Sequence, residues 1–249
     1  MYDGALNFRE VAKLPTSDGK RRLRRGLLYR SGTPQLMPES SARRMVDELG
    51  IRLVVDLRQR QEAEREGQGG LARVEHRRLS APFMVAAAKR EGWEFPRFRD
   101  TDPLVPHYIA YLGSSTDAIL AMFRALADPN AGPALLHCTA GKDRTGAAVM
   151  ILLDAIGVQR SAVVADYVAG RDQIAAVFET LVALPSYGER IASMPHEAKN
   201  TEPDTAERFL SALDEHFGGI QTWLRDAGFG ADELAALRDR LTEPVSESV

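Results

Sequence analysis

The chain has 249 residues and a mass of 27.4 kDa, which at about 100–200 residues per domain allows one large domain or two small ones. Charged residues are 27% and apolar residues 44%, the balance of a globular chain and not of a disordered one. The net charge of −3 argues against a general nucleic-acid binder, and the longest apolar run, Ala147 to Leu153, falls far short of the ~18 residues of a membrane span.

Met1 to Glu10 carries no basic stretch followed by an apolar one, so a classical secretory leader is not expected. The expected location is cytoplasmic, with non-classical secretion left open. Charge is unevenly spread. Residues 1–80 hold 17 Lys/Arg against 11 Asp/Glu, and residues 81–249 hold 15 against 24. The basic excess centres on Lys20, Arg21, Arg22, Arg24 and Arg25. Such a run is a solvated turn or a patch that attracts an anionic substrate or lipid surface.

Strand-like and helix-like segments alternate, which predicts an α/β domain. Gly26 to Arg30 reads as a short strand. Glu39 to Leu49 reads as a helix stopped by Gly50. Ile51 to Leu57 is a β-branched apolar run that fits a buried strand, and Val74 to Leu79 is a weaker candidate. Ala81 to Pro106 reads as an irregular loop. Pro96, Pro103 and Pro106 interrupt it, and Trp93, Phe95 and Phe98 stand among Arg90, Arg97 and Arg99. A loop packed by its own aromatics, or a lid over a site, has this composition. Ile119, Leu120, Phe123, Leu126 and Ala127 then form one helical face. Pro133 to Cys138 reads as a buried strand. It leads through Thr139–Asp143 into a helix, Arg144 to Ile156, that is apolar nearly all round. Further helices are predicted near 161–168, 171–184, 204–217, 220–227 and 231–241, with a loop from Pro185 to Pro203.

The functional signal lies in His137-Cys138-Thr139-Ala140-Gly141-Lys142-Asp143-Arg144-Thr145-Gly146. This segment leaves a buried strand and opens a helix. A tight loop at a helix N-terminus aims several backbone N–H groups at one point, and the helix dipole adds to the field. The backbone of Thr139, Ala140, Gly141 and Lys142 would supply that anion nest, with Gly141 free to adopt a conformation other residues resist. Cys138, the only cysteine in the chain, would sit at its floor. The nest favours the thiolate, which is the nucleophilic form. Arg144 brings a planar fork that holds two phosphate oxygens. These parts describe a cysteine phosphatase. Cys138 attacks phosphorus and Arg144 binds the phosphate. Thr145 assists departure of the sulfur, and His137 orients the loop. The leaving oxygen needs a general acid. Five specified positions at about one in twenty each coincide by chance on the order of once in several million starts. No metal site and no organic cofactor are expected, because the histidines are scattered and lack ligand spacing.

This segment resembles the phosphate loop of the protein-tyrosine phosphatase superfamily, HCxxGxxR[ST]. It is most similar to a bacterial branch of that superfamily, that of the secreted mycobacterial tyrosine and lipid phosphatases, whose loop HCxAGKDRTG residues 137–146 match throughout. Asn7-Phe8-Arg9, Leu28-Tyr29-Arg30-Ser31-Gly32, and Asp56-Leu57-Arg58 with Glu62 also match elements of that branch. Phe217-Gly218-Gly219 through Leu224 and Leu234 to Leu241 resemble its C-terminal helices. Glu10, Ala12-Lys13 and Trp223 depart from its pattern.

The resemblance implies a cysteine-phosphatase fold, with a central, largely parallel sheet flanked by helices. It implies a single phosphatase domain over residues 1–249, with a helical lid inserted after the phosphate loop at about 158–200. It assigns the general acid to the aspartate inside the loop, here Asp143. Asp100 and Asp102 are rivals, and a first-turn carboxylate that only favours the helix dipole is the plain alternative. Lys142 is expected at the rim of the nest, where the resemblance associates it with substrates carrying more than one phosphate. Asp56, Arg58 and Glu62 lie at a strand end, where an ion-pair network would brace the loop. The expected activity is hydrolysis of phosphotyrosine or dual-specificity phosphoprotein monoesters through a phosphocysteine. Phosphoinositide hydrolysis, a non-catalytic phosphate-binding module and a rhodanese-like sulfur carrier are the alternatives. With no second cysteine, no disulfide within the chain can protect Cys138 from oxidation.

Overall fold

The computed structural model describes residues 2–85, 102–184, 187–192 and 201–245. Of the predicted aromatic and basic loop Ala81 to Pro106, residues 86–101 lie outside them. The central strands are β3 (Leu28–Ser31), β4 (Leu53–Asp56) and β6 (Ala134–His137), each buried along its length. They pair in parallel in the order β3-β6-β4, and β5 (Arg77–Ser80) extends the sheet in parallel beyond β4. The two-residue β1 (Arg9–Glu10) closes the other edge antiparallel to β3. The sheet is thus mixed α/β and largely parallel, as expected.

Alternation along the strands divides the core. Tyr29, Val54 and Leu135 face one side and pack with Met45 and Ala42 of α1 (Glu39–Leu49). Leu28, Leu53, Val55 and Leu136 face the other. They pack with α3 (Leu104–Ser114), α4 (Thr116–Ala127) and α5 (Asp143–Ala155). α1 stops at Gly50, whose φ of 66° is left-handed. α2 (Arg60–Glu66) follows β4 and opens with a capping box in which the Gln59 N–H donates to Glu62. After α5 come α6 (Arg160–Val168), α7 (Arg171–Val182) and the short α8 (Gly188–Ala192). The C-terminal helices are α9 (Pro203–Phe217), α10 (Ile220–Asp226) and α11 (Ala231–Leu241).

Two readings of the sequence change. The stretch read as irregular up to Pro106 contains the start of α3, with Pro106 as its third residue. A proline is tolerated in the first turn because its missing N–H has no partner there. The predicted loop from Pro185 to Pro203 contains α8. In the basic run, Lys20 and Arg25 are exposed, while Arg21 and Arg22 are ion-paired. Arg21–Leu23 forms β2, paired antiparallel with β7 (Thr242–Pro244), and Arg21 and Arg22 reach Asp239 and Glu243 at 3.1 and 2.9 Å.

The segment 158–200 divides by packing. Val163, Val164 and Tyr167 of α6 belong to the main core. Ile174, Val177, Phe178 and Leu181 of α7 instead form a small separate cluster with Tyr187, Ile191 and Ala140. No helix among the described residues is long and apolar enough to cross a membrane.

Register sets the site. Ser31 and Asp56 both lie opposite His137, so three strands end at one level, at the carboxyl edge of the sheet where α/β folds gather functional groups. Just past β4, Arg58 donates to Asp56 from Nε (2.9 Å), Nη2 (2.8 Å) and its own backbone N–H (3.1 Å). Both residues are buried. Arg58 also reaches Thr33 Oγ1 and the Gly67 carbonyl. Burial works to raise the Asp56 pKa, but the neighbouring His137 ring and then the Arg58 bonds hold it well below the usual carboxylate range.

Removing one partner of such a pair costs about 3–5 kcal/mol, so Asp56→Asn is expected to lower the urea midpoint at pH 7. The folded pKa is depressed, so the contribution is complete above an unfolded pKa of about 4 and is lost as pH falls. The gap between variant and wild type therefore narrows at pH 3. Urea titrations at both pH values check this, and equal midpoints at pH 7 would refute it.

Candidate active site

Residues 138–142 link β6 to α5. Their carbonyls are all turned away and tied. Cys138 O faces His137 Nδ1 at 3.3 Å. Thr139 O accepts from the Thr33 N–H at 2.7 Å. Ala140 O and Gly141 O both accept from the Asn7 side-chain amide at 3.2 Å, and Gly141 O also accepts from Arg30 Nη2 at 3.1 Å. Lys142 O accepts from the Gly146 N–H. The N–H groups of Thr139, Ala140 and Gly141 have no such partner among the described residues. A loop with carbonyls bound outward and amides unpaired is a nest for an anion.

Gly141 is required twice over. Its φ is 70°, and a Cβ there would stand 2.6 Å from the Gly32 nitrogen. Gly32 is required in turn, since its Cβ would stand 2.9 Å from the Thr139 carbonyl oxygen.

Cys138, Thr139, Ala140, Asp143 and Arg144 line one cleft of about 400 Å³. Its walls come from Phe83 and Val85 after β5, His107 and Tyr111 of α3, and Phe178, Leu181 and Ile191 of α7 and α8. Cys138 is 2% exposed, so it lies at the bottom.

Arg144 donates to Glu62 from Nη1 (2.6 Å) and Nη2 (3.1 Å), and from Nη2 to Thr139 Oγ1 (2.9 Å). Burial works against its charge, but the sulfur of Cys138 and the Glu62 carboxylate raise its pKa above the ordinary arginine value. Three of its five N–H donors are engaged in this way, which leaves two for a bound phosphate. Glu62 therefore braces the loop through Arg144, while Asp56 and Arg58 brace it through Thr33, whose N–H holds Thr139.

Asp143, the first residue of α5, lines the cleft. Its Oδ1 accepts from Lys142 Nζ at 2.6 Å and from the Tyr108 hydroxyl at 2.9 Å. Burial works to raise its pKa, but the Lys142 cation and these two hydrogen bonds hold it below the ordinary value.

Lys142 does not occupy the rim. Its side chain is fully buried and paired with Asp143, and it does not line the cleft. Thr145 is buried, and its hydroxyl has no partner among the described residues. His137 is buried and pushed down to about 4, chiefly by burial, so it is neutral at pH 7. A carbonyl can only accept, so Nδ1 is the donor to Cys138 O.

Of the rival acids, Asp100 lies outside the described residues. Asp102 caps α3 by accepting from the Leu104 N–H (2.8 Å) and also accepts from Thr205 Oγ1 (2.6 Å), and it does not line the cleft.

Several residues of the site carried no assigned role in the sequence. Arg30 and Asn7 were visible only as parts of matched motifs. Arg30 Nη1 donates to Asp166 Oδ2 at 2.5 Å, and Arg9 donates to the Asp166 carbonyl and to Asn7 Oδ1. The N-terminal turn and α6 thus grip the loop from two sides. Tyr108 carried no signal, since the helix that holds it was not predicted, and Tyr167 lies in the helix predicted near 161–168 with nothing to single it out.

Comparison with known proteins agrees with this geometry. The sequence profile of the "Tyrosine phosphatase family" matches residues 1–243. A Cupriavidus necator protein named as a tyrosine-protein phosphatase is 30% identical, over 91% of this chain and 82% of its own. The triple specificity protein phosphatase PtpB of Mycobacterium tuberculosis is 28% identical, over 94% of this chain and 96% of its own. A tyrosine-protein phosphatase of Nostoc commune is 29% identical, over 78% of this chain and 67% of its own. A profile match over nearly the whole chain, on top of the loop geometry, means that the chain belongs to the tyrosine phosphatase family and is a phosphatase.

Proposed function

We propose that the protein hydrolyses phosphotyrosine monoesters through a phosphocysteine. The carrying observation is the convergence of Cys138, Arg144 and Asp143 on one cleft with aromatic and aliphatic walls. A nucleophile that is 2% exposed at the bottom favours a phosphate on a long, flat side chain over one on serine.

The thiolate of Cys138 attacks phosphorus, and the bond from phosphorus to the tyrosyl oxygen breaks. Asp143 gives its proton to that oxygen. Water then attacks phosphorus and passes a proton to Asp143, and the sulfur leaves with the electron pair of the S–P bond. Arg144 and the loop amides hold the non-bridging oxygens through both steps. The Thr145 hydroxyl, which bonds no partner among the described residues in the resting site, turns to donate to the departing sulfur. The charge on Asp143 is stabilised in the resting site, and an incoming phosphate dianion opposes that charge and draws a proton onto it. α7 and α8 cover the cleft as its lid.

Dual specificity fits the same site. The phosphoinositide reading loses its main support with Lys142 buried. Arg144 and His107 are the basic residues that line the cleft among the described residues.

Phosphate release from a phosphotyrosine peptide, a phosphoserine peptide and a phosphoinositide panel tests this. The phosphotyrosine peptide is expected to rank first, and Cys138→Ser is expected to abolish release from every substrate. No release by folded, reduced wild type would instead indicate a binding module.

Asp143→Asn is expected to slow phenyl phosphate by about 100-fold while slowing p-nitrophenyl phosphate far less, as loss of a general acid does. Steady-state kinetics on both substrates check it, and equal losses would remove Asp143 from the acid's role.

A further inference from the structure

We propose that Tyr108, backed by Tyr167, is a positioning residue that turns Asp143 so that Oδ2 carries the proton delivered to the leaving oxygen. This rests on Asp143 being the acid. The two oxygens of Asp143 are not equivalent. Oδ1 accepts two hydrogen bonds, from Tyr108 and from Lys142. Oδ2 has no hydrogen-bond partner among the described residues, and the side chain is about a quarter exposed on the cleft. An oxygen that already accepts from two donors has no lone pair to spare for a proton. Protonation therefore falls on Oδ2, the oxygen left open to the cleft.

Lys142 supplies the counter-charge to Oδ1 from a buried side chain. An ammonium on a four-carbon stem is a rotatable point charge. The Tyr108 hydroxyl, by contrast, is fixed at both ends. Its ring is buried edge-on to Phe209 at 5.6 Å and stacked with Tyr111 at 6.2 Å. Its oxygen also meets the Tyr167 hydroxyl at 2.9 Å. Tyr167 is locked in turn, since its ring stands 3.0 Å from where a Cβ on Gly146 would be. Gly146 lies in the first turn of α5, which Asp143 opens. One contact thus sets Tyr167 against the same turn that carries the acid.

Both tyrosines are buried, and burial, then the charge of Asp143, keeps them protonated. With the Tyr167 hydroxyl donating its hydrogen bond to the Tyr108 oxygen, the Tyr108 proton points at Oδ1. The pair orients the carboxylate; neither hydroxyl lines the cleft.

The test is Tyr108→Phe, which keeps the ring and removes the hydroxyl. Misaiming the acid should lower kcat on phenyl phosphate by about tenfold while leaving p-nitrophenyl phosphate within about twofold, with KM within about twofold on both. In an Asp143→Asn background the same change should have no further effect on kcat. Tyr167→Phe, which leaves Tyr108 in place, should give a smaller loss with the same leaving-group dependence, and it serves if Tyr108→Phe folds poorly.

Equal losses on both substrates, or an undiminished loss in the Asp143→Asn background, would overturn the positioning role. If Asp143→Asn itself fails to discriminate between leaving groups, the acid assignment falls. If Asp143→Asn discriminates and neither tyrosine variant does, the positioning role alone falls.

Discussion

Everything at the site depends on where the carbonyls of five residues go. Between β6 and α5 the chain must turn so that its amides face inward, an orientation that would leave buried carbonyls without partners. Such groups are costly to leave unpaired. Each of them has a donor, and four of the donors come from outside the loop or from the residue just before it: His137, Thr33, Asn7 and Arg30. The unpaired amides are therefore a consequence of carbonyl anchoring elsewhere. Gly141 and Gly32 permit the close approach that the anchoring needs. The anion nest is built by the surrounding strands and the N-terminal turn, more than by the loop's own sequence.

The buried charges follow a matching rule, in which each is given a counter-charge and hydrogen bonds together. Arg58 meets Asp56, Arg30 meets Asp166, Arg144 meets Glu62, and Lys142 meets Asp143. Three of these pairs brace the loop and leave the Cys138 sulfur and the loop amides outside the ion-pair network. The fourth is different, because Asp143 also opens on the cleft. There the same bonds that satisfy the carboxylate also decide which of its oxygens is available. Stability and chemistry are set by one group of contacts.

The sequence made much of this legible. β3, β4 and β6 are short apolar runs at predictable places, and the Cys–Gly–Arg spacing marks the nest, because a glycine with positive φ and an arginine in the first turn have few other uses together. The rest was hidden for physical reasons. α3 was masked by Pro103 and Pro106, which break a helix in its interior but not in its first turn. Lys142 looked like a rim residue because lysines are usually exposed, and nothing in sequence shows that Asp143 folds back over its ammonium. Asp102 looked like an acid candidate but is held by the Leu104 N–H and Thr205, a role that depends on α9 lying nearby. The basic run near Arg21 and Arg22 meets acids more than two hundred positions away, a separation at which patterning carries no information.

The Asn7 amide grips carbonyls 133 and 134 positions downstream, and Arg9 reaches 157 positions to Asp166. Contacts of such separation close large loops, and chain-closure entropy makes them late in folding. During synthesis the N-terminal turn emerges long before the strand and helix it must hold. A nascent chain that has already exposed Cys138 still lacks Asp166, and with it the anchor for Arg30 and Arg9. The catalytic loop is thus shaped only after α6 has been made and docked. Until then the loop lacks the anchors that hold its carbonyls outward and turn its amides to one side.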